Sequence, residues 1–414
     1  MNLANDVILP RAAGKILEKA LGVFPIVVVM GARQTGKTTL VRSHPLLRSR
    51  PYLTLDDLSV RGDARDAPHD LVRRAPRLTL DEVQREPELL LAIKNAVDED
   101  VPRINGRFVL TGSANLLLME KVSESLAGRA GYVSLWPLTR KELAGEGGHG
   151  SWEGFFEFPV ESWYEMVLDH PATKKSDWRD CAFRGGFPVP AYELRTQEDR
   201  SLWFEGYVAT YLERDLSALS SIENLPDFRR LMQATCHRLG QLMNQAELGR
   251  DVGLPRASVH RYLNLLEASY QLVRLDPYSV NRTRRIIKAP KLYWSDTGLA
   301  LHLSGEEKPR GPHLENLVLT ELLAWRESRI PKPQVLYWRT AAGQEVDFVV
   351  ETGDQLLAVE VKAGSRPSRK DARHLRVFLD EYPDKARGAL LLHGGEEVFR
   401  MEPRILAVPW WRVA

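Results

Sequence analysis

The stretch GARQTGKTT at residues 31–39 restricts the fold of this chain more than any other part of the sequence. It contains the pattern GxxxxGK[ST], in which glycines let backbone N–H groups approach phosphate oxygens closely at the N-terminus of a helix. The apolar and β-branched run FPIVVVM at residues 24–30 comes directly before it and predicts a strand buried on both faces of a parallel sheet. Strand, glycine loop and helix occur in the order that a P-loop requires, so this part of the chain is predicted to be an α/β phosphate-binding unit.

The loop residues have expected roles in holding ATP. Lys37 is expected to reach the β- and γ-phosphates, and the Thr38 hydroxyl is expected to bind Mg²⁺. Backbone N–H groups of the whole loop are expected to surround the phosphates, where the helix dipole favours negative charge. The predicted nucleotide-binding residues are Gly31, Ala32, Arg33, Gln34, Thr35, Gly36, Lys37, Thr38 and Thr39.

Two adjacent acids supply the second half of a P-loop site. The short run LTL at residues 78–80 predicts a strand, and Asp81 and Glu82 follow it. Asp81 is expected to hold Mg²⁺ and Glu82 to polarise the attacking water, so the pair predicts hydrolysis as well as binding. The alternative interpretation is a solvated Asp-Glu pair at the end of a strand.

Polar residues after the next predicted strand are candidates for contact with the γ-phosphate or its water. The strand RFVL spans residues 107–110, and Thr111 and Ser113 are the candidates. Further along, Arg129 in the run SLAGR is a candidate arginine finger on the nucleotide of a neighbouring subunit. An arginine that pairs with a surface acid is the alternative for Arg129.

Several stretches together resemble a group of prokaryotic AAA-type ATPases whose C-terminal domain is nuclease-like. They are GARQTGKTT, LDEVQR at residues 80–85, LTGSANLL at residues 110–117, and ESLAGR followed by LWPLT. The resemblance continues through GGFP at residues 185–188 and YVATYLERD at residues 207–215, and it covers essentially the whole chain. It implies an AAA-type α/β core and makes a homo-oligomer, a hexamer or smaller, an expectation.

The middle of the chain contains a helix-turn-helix pattern. The runs at residues 245–253 and 254–266 fit two short helices joined by a glycine-containing turn. In the second helix, the spacing of a buried face is shown by Val259, Tyr262, Leu263 and Leu266. The outward-facing residues, which are candidates for DNA contact, are Arg256, Ser258, His260 and Arg261.

A basic run follows the helix-turn-helix pattern. Predicted strands at residues 270–277 and 291–294 flank NRTRRIIK at residues 281–288, which carries four cations and no acid. We interpret this run as a basic wing that contacts DNA phosphates without reading the base sequence. The alternative is a winged domain used for packing or nucleotide sensing. The candidate contacts in the wing are Arg282, Arg284, Arg285 and Lys288.

Two alternating stretches within residues 344–362, QEVDFVVE and QLLAVEVK, predict a β-hairpin. With a two-residue Gly-Asp turn between the strands, Asp347 faces Glu360 and Glu345 faces Lys362. Directly opposed carboxylates, with Cβ atoms about 5 Å apart, repel one another unless a cation lies between them. The register therefore predicts a divalent metal ion on this face of the hairpin.

The same residues resemble the PD-(D/E)XK nuclease core, in which two acids bind Mg²⁺ and a lysine orients or activates water. Asp347 and Glu360 correspond to the metal-binding acids, Lys362 to the lysine, and Val346 occupies the position of the proline. Glu315, in a predicted helix, matches an additional acid of such cores. The alternatives are a solvated structural hairpin and a nuclease-like fold that binds nucleic acid without cutting it.

Composition limits the class of protein. The 414 residues exceed the usual limit for one hydrophobic core, and 43% apolar with 27% charged residues is ordinary for a globular protein. A formal charge of +2 confines any nucleic-acid surface to a local patch. Cys181 and Cys236 are too few for a disulfide framework and lack zinc-ligand spacing, which fits a reducing cytoplasm. The longest early apolar run is far shorter than the roughly 20 residues of a membrane helix, so no membrane association is expected.

The sequence thus predicts an α/β fold with an AAA-type P-loop core, a helical lid, a winged-helix middle domain and a C-terminal restriction-endonuclease-like α/β domain. The expected domains are residues 1–140, 141–225, 226–300 and 301–414. The predicted function is a cytoplasmic Mg²⁺-dependent ATPase that binds and remodels DNA, including branched or recombining DNA, beside a nuclease-like domain. The rival is an ATP-dependent switch whose C-terminal domain binds a protein partner or nucleic acid without cleaving it.

Overall fold

A computed structural model of the chain describes residues 8–112, 126–169, 175–211 and 224–414, apart from three side chains of the segment 284–287. The chain divides into two compact units. The first comprises Trp136 and the described residues before it, together with Ala268–Tyr270. The second comprises the remaining described residues after Trp136.

A parallel sheet forms the centre of the first unit. In the described part of the chain its order is β2-β3-β4-β1-β5, and every neighbouring pair is parallel. Strand β4 therefore lies between the strand that precedes the glycine loop and the strand that carries the adjacent acids. The strands are β1 (Ile26–Met30), β2 (Tyr52–Thr54), β3 (Leu78–Asp81), β4 (Phe108–Gly112) and β5 (Ala130–Ser134).

Both faces of this sheet are covered. Within β1, Ile26 and Val28 belong to one hydrophobic cluster, whereas Val27 and Val29 belong to another on the opposite face. Alternate side chains of a strand point to opposite faces, so a continuous apolar run is what such a strand needs. The parallel α/β core is confirmed. The helices of this unit are α1 (Ala13–Val23), α2 (Lys37–Ser43), α3 (Leu58–Asp66), α4 (Pro68–Arg73) and α5 (Leu89–Asp98).

Helices make up much of the chain after residue 136. Among the helices that the structure describes, none is both long and apolar enough to cross a membrane. The described helices after residue 136 are α6 (Arg140–Leu143), α7 (Gly154–Glu157), α8 (Trp163–Asp169), α9 (Trp178–Arg184), α10 (Gln197–Thr210), α11 (Leu225–Cys236), α12 (Gln245–Val252), α13 (Arg256–Ala268), α14 (Arg282–Ile287), α15 (Thr297–Ser304), α16 (Gly311–Glu327), α17 (Arg373–Glu381) and α18 (Trp410–Val413).

Helices α12 and α13 are the two that the helix-turn-helix pattern predicts. The Asn244 side chain accepts hydrogen bonds at the start of α12, and Gly253 adopts a φ of 70° at its end, where glycine is free of strain. Val259, Leu263 and Leu266 of α13 are fully buried, as their spacing predicts. The capping residues and the apolar spacing thus account for both helices.

A two-stranded antiparallel sheet follows α13. Strand β6 (Leu272–Leu275) is shorter than the predicted strand at residues 270–277, and it pairs with β7 (Lys291–Trp294), which has the predicted bounds. The predicted basic wing between them is wrong in its conformation, because the run forms helix α14. The Asn281 side chain accepts a hydrogen bond from the Thr283 N–H at the start of α14, which favours the helix.

A mixed sheet forms the C-terminal part of the second unit. Its order among the described residues is β12-β13-β11-β10-β9-β8, with antiparallel pairing from β8 to β10 and parallel pairing of β10 with β11 and of β11 with β13. Helix α17 packs on one face of it. The strands are β8 (Gln334–Arg339), β9 (Glu345–Thr352), β10 (Gln355–Lys362), β11 (Ala386–His393), β12 (Phe399–Glu402) and β13 (Ile405–Pro409).

The hairpin of β9 and β10 has the predicted turn but a shorter ladder than predicted. Thr352 pairs with Gln355 across the turn, and the described pairing ends at Phe348 with Val359. Beyond that point the Asp347 Oδ2 atom accepts a hydrogen bond of 2.9 Å from the Val361 N–H. A side-chain carboxylate therefore takes the place of a backbone partner, and the two strands separate where the acids lie.

Candidate functional sites

The glycine loop has a backbone geometry that only glycine supports at its first position. Gly31 has a φ of +153°, and a Cβ atom there would lie 2.2 Å from the Leu135 carbonyl oxygen. Gly36 adopts a φ of 90° directly before α2, so the loop turns into the helix N-terminus. The loop and the start of α2 thus have the backbone conformation that the glycine pattern predicts, and phosphate binding by them stays a prediction.

The Lys37 ammonium is held within this loop. Its Nζ atom donates to the carbonyl oxygens of Gly31 at 3.1 Å and Ala32 at 2.8 Å, and the residue is buried. Arg11, which the sequence analysis missed, donates to the carbonyl oxygens of Thr35 at 2.7 Å and Trp136 at 2.6 Å. Because Arg11 lies far from the loop in the sequence, no local pattern could have linked the two.

The other predicted loop residues differ in exposure. Gln34 and Thr39 are exposed, and Arg33 and Thr38 are partly buried. The Thr35 hydroxyl donates back to the Ala32 carbonyl oxygen at 2.9 Å, which tightens the turn. The exposed members leave the mouth of the loop open to solvent.

Asp81 is the centre of a network of hydroxyl groups. Its Oδ2 atom accepts from the Thr38 hydroxyl at 3.0 Å and from the Tyr52 hydroxyl, and its Oδ1 atom accepts from Thr111. Tyr52 was not predicted, because its approach to Asp81 depends on the pairing of β2 with β3. Hydroxyl and carboxylate oxygens are the donors that Mg²⁺ prefers, so the donor set of Thr38 and Asp81 fits that ion.

Glu82 has a strained backbone and a perturbed carboxyl group. Its φ of 58° and ψ of 42° are uncommon for a residue other than glycine, and such strain concentrates at functional sites. Its N–H donates to the Thr111 hydroxyl oxygen at 3.3 Å, and its side chain accepts from Gln84. Burial raises the pKa of Glu82 above its ordinary value, although the Lys37 ammonium opposes the shift. A carboxylate of raised pKa is a better proton acceptor.

Thr111, Ser113 and Arg129 were the remaining candidates around the nucleotide. The Thr111 side chain is fully buried between Asp81 and the Glu82 backbone, so it orients both acids. Ser113 lies outside the described residues. Arg129 forms a two-pronged ion pair with Asp98, at 2.6 Å and 2.7 Å, at the surface of its own unit. That pairing matches the alternative for Arg129, and its action in trans stays a prediction.

The predicted acids of the hairpin meet residues from two other elements in the second unit. Helix α16 supplies one acid, β9 two and β10 one, and β7 adds a lysine and a tyrosine that the sequence analysis did not assign to this site. We call the group the acidic cluster, and its members are Lys291, Tyr293, Glu315, Glu345, Asp347, Glu360 and Lys362.

Lys291 is the most buried cation of the acidic cluster. Its Nζ atom lies 2.5 Å from Glu345 Oε1 and 3.5 Å from Asp347 Oδ1, and its side chain is only 2% exposed. Burial alone would lower the pKa of Lys291, but Asp347 and then Glu345 outweigh it and raise the pKa to about 12. The predicted pairing of Glu345 with Lys362 is wrong, because Lys291 and Arg339 hold Glu345 instead.

The other two acids of the cluster are strongly perturbed. Lys362 Nζ lies 2.5 Å from Glu360 Oε1, and the Tyr293 hydroxyl donates to Glu315 Oε2 at 3.2 Å. Burial, followed by repulsion from Asp347, raises the pKa of both Glu315 and Glu360 well above the ordinary range. Glu360 Oε2 is buried and has no hydrogen-bond partner within the described part of the chain.

The cluster fits a divalent cation in its chemistry and only partly in its arrangement. Carboxylate oxygens suit Mg²⁺, and the buried Glu360 Oε2 atom has its lone pairs free. Among the described residues, however, no three His, Cys, Asp or Glu side chains are gathered as ligands of one ion. In the structure the Lys291 ammonium lies beside Asp347 and the Lys362 ammonium beside Glu360.

The candidate DNA contacts are divided between surface and interior. In α13, Arg256, His260 and Arg261 are exposed and Ser258 is half-buried. Arg282 and Lys288 are also exposed, whereas the Arg284 side chain lies outside the described residues.

Arg285 is a correction to the predicted DNA contacts. Its side chain is 8% exposed and forms an ion pair with Glu351 at 2.5 Å and 3.1 Å. It also donates to the Ser279 carbonyl oxygen at 2.7 Å. A guanidinium with these partners is buried in the protein and does not present its charge to a phosphate.

Family models divide the chain into matched segments. The model described as an AAA domain matches residues 23–144. Two models described as domains of unknown function, DUF8612 and DUF4143, match residues 175–310 and 310–413. The AAA-type core predicted from the glycine loop is confirmed.

Similar proteins cover most of the chain. Uncharacterized proteins of Mycobacterium bovis and Mycobacterium tuberculosis are each 32% identical over 409 residues, covering 96% of this chain and 83% of the relative. An uncharacterized protein of Haemophilus influenzae is 21% identical over 284 residues, covering 67% of this chain and 64% of the relative.

Solved structures with weaker similarity include a Walker-type ATPase of Pyrococcus abyssi and AMPPCP-bound DnaA of Aquifex aeolicus. The first has a TM-score of 0.46 at 18% identity, covering 73% of this chain and 99% of that chain. The second has a TM-score of 0.27 at 14% identity, covering 61% of this chain and 86% of that chain.

Proposed function

The chain belongs to the same family as the two mycobacterial proteins, and with its AAA domain as the premise we propose that it is a Mg²⁺-dependent ATPase. The observation that carries this proposal is the convergence of Thr38, Asp81 and Thr111 beside the glycine loop. The Asp81 carboxylate contacts the Thr38 hydroxyl, and the Mg²⁺ ion of a bound nucleotide needs oxygen ligands at this position.

The protein's own residues account for each part of hydrolysis. Lys37 and the loop N–H groups bind and orient the phosphates, and Thr38 with Asp81 would hold Mg²⁺, which would offset the charge of the transferred phosphoryl group. Thr111 fixes Asp81 and the Glu82 backbone relative to each other. Glu82 takes a proton from the attacking water as the terminal phosphate bond breaks.

Two variants separate binding from hydrolysis. Lys37→Ala removes the buried ammonium that reaches the phosphates, so it loses both ATP binding and turnover. Glu82→Gln keeps the shape of the side chain, so it binds ATP but lowers kcat by roughly 10²–10⁴-fold. Glu99→Gln, an exposed acid in a surface ion pair, is the matched control and keeps wild-type turnover. Phosphate release measured with and without DNA checks these outcomes, and wild-type turnover by Glu82→Gln contradicts the mechanism.

We propose further that ATP hydrolysis is coupled to binding and remodelling of DNA, with branched or recombining DNA as a substrate class. Three helices followed by a two-stranded sheet support a winged-helix interpretation, and Arg256, His260 and Arg261 are exposed on its second predicted helix. Phosphate contacts there weaken binding as salt rises. Arg256→Ala and Arg261→Ala are each expected to reduce the salt dependence of binding, by a slope of about 1. Unchanged slopes assign this face to packing.

For the C-terminal domain we propose a nuclease-like centre built on Glu315, Asp347, Glu360 and Lys362. The alternative is a switch that binds a protein partner or nucleic acid without cleavage, and the Lys291 ammonium against Asp347 supports that alternative. Incubation of linear, single-stranded and branched DNA with Mg²⁺ or Mn²⁺ separates them. Cleavage that Asp347→Ala abolishes supports the nuclease, and intact DNA in every case supports the switch.

We expect a cytoplasmic homo-oligomer, a hexamer or smaller, in which Arg129 could leave Asp98 to reach a neighbouring nucleotide. Mixing Arg129→Ala subunits with Lys37→Ala subunits tests this, because turnover above that of either variant alone requires complementation between subunits. A mass measurement by light scattering with and without ATP gives the subunit number.

A further inference from the structure

One face of strand β7 forms a wall of the acidic cluster. Lys291 and Tyr293 are two residues apart in the strand, so both side chains point to the same side. Lys291 contacts Glu345 and Asp347, and the Tyr293 hydroxyl donates to Glu315. The strand that closes the predicted winged-helix region therefore supplies two of the groups that surround the C-terminal acids.

The cluster holds more carboxyl groups than cations. Four carboxyl groups, from α16, β9 and β10, face the cations of Lys291, Lys362 and Arg339. Glu360 Oε2 remains buried without a hydrogen-bond partner in the part of the chain that the structure describes. Buried charge is stable only when it is paired, so the cluster has the capacity to bind further positive charge.

The Lys291 ammonium lies against the carboxylate that a divalent ion needs. It is 3.5 Å from Asp347 Oδ1, while Asp347 Oδ2 is held by the Val361 N–H at 2.9 Å. Both Asp347 oxygens thus have donors, and a metal ion close to Oδ1 and the ammonium would repel one another. The ammonium is not free to leave by rotation alone, because its side chain is almost completely buried.

We propose that Lys291 is a built-in counter-cation that competes with a divalent metal ion for Asp347, so that strand β7 controls metal binding in the C-terminal domain. The proposal rests on the nuclease-like centre proposed above and adds its regulation. Metal binding requires the ammonium to withdraw, which makes movement of β7 the step that opens the site.

The test measures Mn²⁺ binding to the full chain without nucleotide. Electron paramagnetic resonance detects the ion that remains free in solution. Lys291→Met keeps the apolar stem but removes the charge, so its affinity for one Mn²⁺ ion increases on the order of tenfold or more. Lys291→Arg keeps the charge and binds like wild type. Adding Asp347→Asn to Lys291→Met abolishes the gain, which distinguishes this site from the P-loop.

A second variant and a second measurement guard against the possibility that Lys291→Met misfolds. Lys291→Met with Glu345→Gln removes the ammonium together with the carboxylate nearest to it, which limits unpaired buried charge and keeps Asp347 and Glu360. Saturating Mn²⁺ is expected to raise the Tm of this double variant more than that of wild type, because binding to the native state stabilises it.

The outcomes separate the two proposals. The two charge-removed variants are Lys291→Met and Lys291→Met with Glu345→Gln. If wild type and both of these bind Mn²⁺ equally tightly, and Asp347→Asn abolishes binding in each, the metal centre stands and competition by Lys291 is refuted. If none of them binds Mn²⁺ at this site, the metal centre itself fails and Lys291 is a structural counter-ion. Tighter binding only in the charge-removed variants supports competition.

Discussion

Replacing Arg285 by methionine tests whether helix α14 belongs to the protein interior or to a DNA-binding surface. In the structure its guanidinium pairs with Glu351 through two contacts, at 2.5 Å and 3.1 Å, and lies over the Tyr278 ring at 4.8 Å. Methionine retains the apolar stem and removes only the charge and its donors. The change therefore leaves the Glu351 carboxylate in place without its main partner.

The expected loss of stability follows from the burial of the pair. The two side chains are 8% and 13% exposed, so water screens their attraction very little. Breaking a buried ion pair by removing one partner costs about 3–5 kcal/mol. At about 2–4 °C per kcal/mol for a unit of this size, Tm falls by roughly 10 °C.

The assay combines calorimetry with DNA binding at several salt concentrations. Arg282→Met is the matched control, because Arg282 is an exposed arginine three residues earlier in the same helix. Its effect on stability is expected within about 0.5 kcal/mol. Adding Glu351→Leu to Arg285→Met restores part of the lost stability, because the unpaired carboxylate is removed. The salt dependence of DNA binding by folded Arg285→Met remains that of wild type.

One result refutes the reasoning directly. If Arg285→Met unfolds at the wild-type Tm and its DNA binding loses salt dependence, the guanidinium contacts phosphate in solution and the ion pair with Glu351 is unimportant. A large loss of Tm with unchanged salt dependence of DNA binding shows that Arg285 stabilises the fold and does not contact phosphate.

Two further predictions concern the nucleotide site. Gly31→Ala loses ATP binding because its Cβ atom would lie 2.2 Å from the Leu135 carbonyl oxygen, whereas Gly22→Ala, with nothing within 4 Å of its Cβ, keeps it. A fluorescent ATP analogue measures both, and equal affinity of the two variants contradicts the steric argument. Glu82 accepts a proton only when ionised, and burial raises its pKa, so kcat falls as the pH is lowered through a pKa above the ordinary value of a glutamate. A pH profile with no such limb, or one that Glu82→Gln retains, excludes Glu82 as the base.

The sequence predicts those parts of the site whose chemistry is encoded locally. Gly31, Lys37 and Thr38 lie within one short segment, and the continuous apolar run before it forms a strand covered on both faces, as predicted. The hairpin turn is similarly local, and its register at Thr352 and Gln355 is confirmed. In each case a few neighbouring residues determine the backbone, so pattern and spacing suffice.

The contacts that only the tertiary structure reveals join residues remote in sequence. Tyr52 reaches Asp81 because β2 pairs with β3, and Arg285 is drawn to Glu351 across the second unit. A basic run looks the same in sequence whether its charges face DNA or a buried acid. The difference lies in which partner the fold places within a few ångströms.

The acidic cluster combines residues from a local sequence pattern with a contact that only the tertiary structure creates. Its register in the sequence predicts a divalent metal ion at Asp347 and Glu360, and that ion stays a prediction, while lysine ammonium groups contact both acids in the structure. The identity of the cation was beyond local reasoning, since Lys291 arrives on another strand. Sequence spacing thus determined the charge to be neutralised, and the fold decided which positive group lies close enough to do it.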